Sequence, residues 1–274
     1  MVDPSSGSAG YDFDEAIAVT TTGEGQLRAS IAPGWDIRGI PNGGYLLALM
    51  TAAGQTAVPQ PHPLSVSATY LGPPDFSEAD LTVDVARVGR RQSTATVRLH
   101  QNGEEKVRAT MTFGTLLDAD PEILADDAER PLEPRPAASQ LVERASTDGE
   151  VIALRERVEI LLAEGVGFAA GQPSGEARLD AWLRFANGRD PDPLALLLFG
   201  DAVPPSIFER RGLGVGHVPT VQLTTHLFAL PAPGPVQARF RTRVQGGSFI
   251  DEDGELWDAN GRLVATARQL ALLR

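Results

Sequence analysis

The sequence predicts an α+β protein made of one unit used twice, each copy an antiparallel sheet wrapped around a buried helix. Three observations carry this. The order strand, helix, run of strands occurs once in each half of the chain; both helices are apolar nearly all round; and an Asn-Gly pair precedes the last strand of each half. A helix without a polar face must be covered on every side, and a sheet is what covers it. Two copies set two such sheets side by side, each around a long central helix.

In the first copy, residues 26–31 alternate in polarity and read as a strand. The helix follows over 44–57 with Tyr45, Leu46, Leu47, Leu49, Met50, Ala52 and Ala53, and Pro59, Pro61 and Pro63 end it. Strands are predicted over 64–71, 81–88 and 93–101, then a two-residue turn at Asn102-Gly103 and a last strand over 106–116. In the second copy a strand covers 177–185 and a helix 193–201, with Leu194, Leu196, Leu197, Leu198 and Phe199 before Pro204-Pro205. Strands over 220–227, 236–244 and 249–258 lead to Asn260-Gly261 and a closing strand over 263–273.

Between the copies, 117–135 is acidic and rich in proline, and reads as a solvated connector. Helical spacing over 141–144 and 151–164 predicts a strut between the copies. The expected organisation is a disordered tail over 1–10, a first unit over 11–117, connector and helix over 118–170, and a second unit over 171–274.

Composition narrows the chemistry. A formal charge of −12 opposes broad attraction to nucleic acid or an anionic membrane. No apolar run is long enough for a membrane-spanning helix, and the N-terminus lacks the basic start and apolar stretch of a secretory signal. A cytoplasmic location is expected. With no cysteine, thiolate metal sites and a Cys nucleophile are excluded. The four histidines are scattered without ligand spacing, so neither metal nor cofactor is expected. No Gly-x-Ser-x-Gly elbow is present, and Gly212 to Gly216 lacks the strand and helix that flank a dinucleotide loop.

Four segments resemble a known family. Pro41-Asn42-Gly43-Gly44-Tyr45-Leu46 is similar to the glycine-rich helix start of hotdog thioesterases. Gly200-Asp201-Ala202-Val203-Pro204-Pro205, Val218-Pro219-Thr220-Val221-Gln222-Leu223-Thr224 and Ala267-Arg268-Gln269-Leu270-Ala271-Leu272 resemble acyl-CoA thioesterase II and its thioesterase-like relatives. The resemblance implies a double hotdog fold and hydrolysis of acyl-CoA thioesters without a covalent intermediate. It implies that Asp201, Thr220 and Gln269 hold the attacking water. At Gln222 the sequence departs from relatives that carry Asp there.

These residue types suit the reaction. A thioester needs an oriented water, a base for its proton and donors for the oxyanion. Asp201, closing a leucine-rich helix, is the candidate base, while Thr220 and Gln269 are neutral donors and acceptors. The amides of the Gly43, Gly44 and Tyr45 segment, at a helix N-terminus, are the candidate oxyanion and substrate contacts. Arg90-Arg91 and the alternating Arg239, Arg241 and Arg243 read as solvated strand faces or as contacts to CoA phosphates. The copies differ: Thr56 stands opposite Asp201 and Thr112 opposite Gln269, so one site per chain is expected, with the first copy lending its helix N-terminus. A non-catalytic acyl-CoA or lipid-binding protein of the same fold is the alternative. Association into a dimer is also expected, because a sheet offers its face or edge to a second chain.

Overall fold

The structure, a computed structural model, describes residues 12–124 and 152–273. The expected tail over 1–10, most of the acidic connector and the helical spacing over 141–144 lie outside these residues.

The chain begins with a short helix α1 (Asp12–Ala16) and the strands β1 (Val19–Gly23) and β2 (Gln26–Ser30), with a small hairpin of β3 (Asp36–Ile37) and β4 (Ile40–Pro41) beyond them. Helix α2 (Gly43–Gln55) follows, then β5 (His62–Tyr70), β6 (Glu78–Val88), β7 (Ser93–Gln101) and β8 (Glu104–Gly114). After the connector come a single turn α3 (Leu154–Arg157), β9 (Val158–Leu162), β10 (Arg178–Phe185), α4 (Pro193–Phe199), the turn α5 (Phe208–Arg211), and β11 (Thr220–Leu227), β12 (Val236–Gly246), β13 (Phe249–Trp257) and β14 (Leu263–Leu272).

Twelve strands form one sheet in the order β1-β2-β6-β7-β8-β5-β11-β14-β13-β12-β10-β9. Read outward from the middle, each half repeats the other, so the duplication extends to the edge strands β1 and β9. The two sheets expected from the sequence are therefore one. β5 and β11 pair antiparallel, Gln222 opposite Thr69 through His226 opposite Ser65, and Ser67 and Thr224 join hydroxyls across this seam at 2.8 Å. Each copy alone would leave that strand with unpaired backbone groups, and their mutual pairing removes both edges.

Helix α2 forms because its residues can all be covered. Ten of them, from Gly44 to Gly54, are buried, and Asn42 caps the start by accepting the Tyr45 N–H at 3.0 Å. The second helix is shorter than expected and ends at Phe199. Asp192 caps it through the Ala195 N–H at 2.7 Å, with Pro193 in the first turn. The two helices pack on each other so closely that a Cβ on Gly44 would sit 2.7 Å from the Leu197 carbonyl oxygen and 2.8 Å from that of Leu198. Glycine is required there by distance.

The predicted helical strut over 151–164 is instead, in its described residues, one helical turn followed by a strand. Only 154–157 turn helically, and Val158–Leu162 pairs with β10, with Val158, Ile160, Leu161 and Leu162 buried. Further ties cross the copies. Phe13 of α1 packs on Phe185 of β10 with centroids 5.0 Å apart, and Arg189 bridges to Asp14 at 2.7 Å.

Candidate active site

Six segments converge where the N-terminus of α2 meets the C-terminal end of α4. Asp201 lies in the turn after α4, its N–H donating to the Leu198 carbonyl at 3.1 Å. Its Oδ2 accepts from the Asn42 side-chain amide and from the Gly44 N–H, both at 3.0 Å, and the Asn42 amide also reaches the Asp201 carbonyl oxygen at 2.9 Å. The carboxylate of the second copy is thus held by the helix start of the first. A Cβ on Gly43 would lie 2.9 Å from Asp201 Oδ2 and from the Tyr70 hydroxyl, so glycine permits this approach too.

The other carboxylate oxygen faces β11. Thr220 Oγ1 lies 3.4 Å from Asp201 Oδ1 and donates to Gln269 Oε1 at 2.9 Å. A β-bulge between Thr220 and Gln222 supplies one residue that its partner strand does not match, which turns Thr220 relative to the rest of the strand. The other threonines of β11 lie elsewhere: Thr224 on the seam against Ser67, Thr225 buried in the core. Gln269 stands on the inner face of β14 between Ala267 and Ala271. Its Nε2 donates to Glu252 Oε2 at 2.6 Å. Glu252 Oε1 in turn accepts from the Ser206 N–H at 2.7 Å and the Ser206 hydroxyl at 2.6 Å.

Burial pushes the Asp201 carboxyl up from 3.8 to about 6; the Gly44 N–H opposes this, the Glu252 charge adds to it, and the Gly43 N–H opposes it in smaller measure. Burial likewise raises Glu252, against the hydrogen bonds from Ser206, Gln269 and Thr242. The Tyr70 phenol, which donates to the Gly43 carbonyl at 2.7 Å, is pushed well above its ordinary value by burial and by Asp201.

The structure thus brings together Asp201, Thr220, Gln269, Gly43 and Gly44. Tyr45 contributes less than expected: its N–H is taken by the Asn42 cap, and its hydroxyl, donating to the Ala16 carbonyl and accepting from the Ala32 N–H, points into the core. The arginine ladder also has other work. Arg239 is buried against Asp180 at 2.7 Å, Arg243 pairs with Asp253 at 3.1 Å, and Arg241 lies 3.8 Å from Glu255. Arg90 and Arg91 are exposed in the β6–β7 turn, beside the end of β5 opposite to Tyr70.

Asn42, Tyr70, Ser206 and Glu252 escaped the sequence reading. Glu252 had a signal. It alternates with Ile250, Gly254 and Leu256, which places an acid on the buried face of a strand. The flanking Asp251, Asp253 and Glu255 disguise it as part of a charged run.

The acyl-CoA thioesterase N-terminal domain, as a family sequence model, matches residues 31–114, and the C-terminal domain of the same family matches 127–273. The chain belongs to the acyl-CoA thioesterase family. Relatives of this thioesterase chain include uncharacterized proteins of Mycobacterium bovis and Mycobacterium tuberculosis, each 31% identical over 87% of the chain and 88% of the relative. Among solved structures, a protein assigned as thioesterase II from Thermobifida fusca is 29% identical, with a TM-score of 0.86 over 96% of this chain and 98% of that one. A hot dog fold protein from Alicyclobacillus acidocaldarius shares the fold at 22% identity, with a TM-score of 0.82 over 96% and 97% of the two chains. Family membership and these neighbours support a thioester hydrolase of hotdog fold.

Proposed function

We propose that this chain hydrolyses acyl-CoA thioesters to free acid and CoA at one site, with Asp201 taking the proton of the attacking water. The observation that carries this reading is the division of labour within one carboxylate: Oδ2 is held by Asn42 and Gly44, whereas Oδ1 is turned toward Thr220. A carboxyl with a pKa of about 6 is largely ionised at neutral pH and basic enough to receive a proton. The water oxygen bonds to the thioester carbon, its proton passes to Asp201, the C–S bond breaks, and the proton goes on to the departing CoA thiolate. The thioester carbonyl oxygen lies toward the N-terminus of α2, where the helix dipole favours developing negative charge. Gly44 serves here as the anchor of the base.

A panel of acyl-CoA substrates, read by release of free thiol, tests this. Asp201→Asn is expected to lower kcat by at least about 100-fold while the protein stays folded. Full activity in that variant would move the base elsewhere. A wild-type protein that binds a non-hydrolysable acyl-CoA analogue yet releases no thiol from any member of the panel would leave the non-catalytic binding reading.

A further inference from the structure

We infer that Glu252 is a positioning residue that sets the direction of the hydrogen bonds in the site, so that Thr220 meets the attacking water as an acceptor. The inference rests on the hydrolytic reading above and adds a residue to it. Glu252 lies buried on the inward face of β13. Both of its carboxylate oxygens are met by donors: Oε1 by the Ser206 N–H and hydroxyl and, at 3.5 Å, by the Thr242 hydroxyl, and Oε2 by the Gln269 amide. The Ser206 N–H can only donate, and with the Ser206 hydroxyl beside it on Oε1 and the Gln269 amide on Oε2 every contact of the carboxyl suits the anion, against the burial that favours the acid.

The consequence runs along the chain. An anionic Glu252 requires Gln269 to present its NH2 group, which turns the amide oxygen toward Thr220. An amide oxygen only accepts, so Thr220 must give it the hydroxyl proton, across 2.9 Å. A hydroxyl has one proton. Toward Asp201, 3.4 Å away, Thr220 therefore offers a lone pair. Two acceptors, Asp201 Oδ1 and Thr220 Oγ1, face each other with no proton between them. A water placed against both gives one hydrogen to each, and its lone pair is left for the thioester carbon. Without Glu252 the Gln269 amide can turn over, Thr220 can donate to Asp201, and the water loses an acceptor while the base loses basicity.

Two measurements test this. In a neutron structure of the deuterium-exchanged wild-type protein, the Thr220 deuterium is expected on the line to Gln269 Oε1, with the Gln269 ND2 group toward Glu252; a Thr220 deuterium directed at Asp201, or a deuterium on Glu252, would overturn the inference. In kinetics, Glu252→Gln is expected to lower kcat about 10- to 100-fold, the scale of a misplaced reactant, with KM within about three-fold of wild type. Among the described residues, the titratable groups facing Asp201 are Glu252 on β13 and Tyr70 on β5. Because Glu252→Gln removes only the first, the acid limb of kcat/KM should move to lower pH, and Glu252→Asp, which keeps the charge, should leave the limb in place and recover part of kcat. A folded Glu252→Gln with wild-type kcat and an unmoved limb refutes the role. Absence of turnover in the wild type would instead refute the hydrolytic reading, while the neutron map would still decide the direction of the chain.

Discussion

Asp201 stands in an environment that opposes its charged form, which suits the role of base proposed for it. Its pKa is raised to about 6 from 3.8, so the folded state binds the proton more tightly than the unfolded chain. The stability this group contributes is full below its ordinary value of 3.8 and is lost as the pH rises through about 6. Replacing Asp201 by Asn should therefore stabilise the fold at pH 8, by about 1 to 2 kcal/mol once partial exposure is allowed for, and by little at pH 4. Thermal unfolding at the two pH values reads this directly, and an equal or lower Tm for the variant at pH 8 contradicts it. At this scale the sequence was informative where a residue sat in a recognisable segment, as Asp201, Thr220 and Gln269 do. It was silent on Asn42 because a helix cap and a ligand to a distant carboxylate use the same side chain. Nothing local reveals the second use.

Among the elements, the strands and the first helix were legible because one periodicity dominated each. Asn102-Gly103 has positive φ at both residues, as its sequence pair requires. At Asn260-Gly261 only the glycine does, and Asp258 organises the turn by accepting the N–H groups of Asn260 and Arg262. Residues 151–164 were misread because Val158, Ile160 and Leu162 fit a strand period while Leu154, Val158 and Leu161 fit a helical one. Pairing with β10 decided between them. The helix pair allows a sharper test. A methyl group at Gly44 would meet the carbonyl oxygens of Leu197 and Leu198 at under 3 Å, and both are backbone atoms that cannot swing aside. Gly44→Ala should destabilise the protein by about 1 to 3 kcal/mol, the usual range for overpacking. Calorimetry showing an unchanged Tm would mean that the helices do not approach as described.

For the molecule as a whole, the sequence revealed the duplication but not the continuity of the sheet, since the register of β5 on β11 joins segments far apart in the chain. That seam, the α2–α4 contact and the Asn42–Asp201 bonds make each copy the missing wall of the other. The copies expressed separately should therefore associate or precipitate, each exposing an unpaired strand and an uncovered helix. Mixed or co-expressed, they should reassemble into a 1:1 particle. Ultracentrifugation finding either copy monomeric and fully folded at micromolar concentration would refute that dependence.

Joining two copies in one chain also releases each position from serving twice. In a pair of identical chains, a mutation to aspartate at the helix end would appear in both, and two carboxylates would have to be buried together. Here the first copy keeps Thr56 at that place, its hydroxyl returned to the Ala53 carbonyl at 2.7 Å, and Thr94 and Thr112 face each other across β7 and β8 as Glu252 and Gln269 do across β13 and β14. A fused pair is under no such obligation: each copy can carry its own residue at a shared position, and the first carries neutral ones at all three.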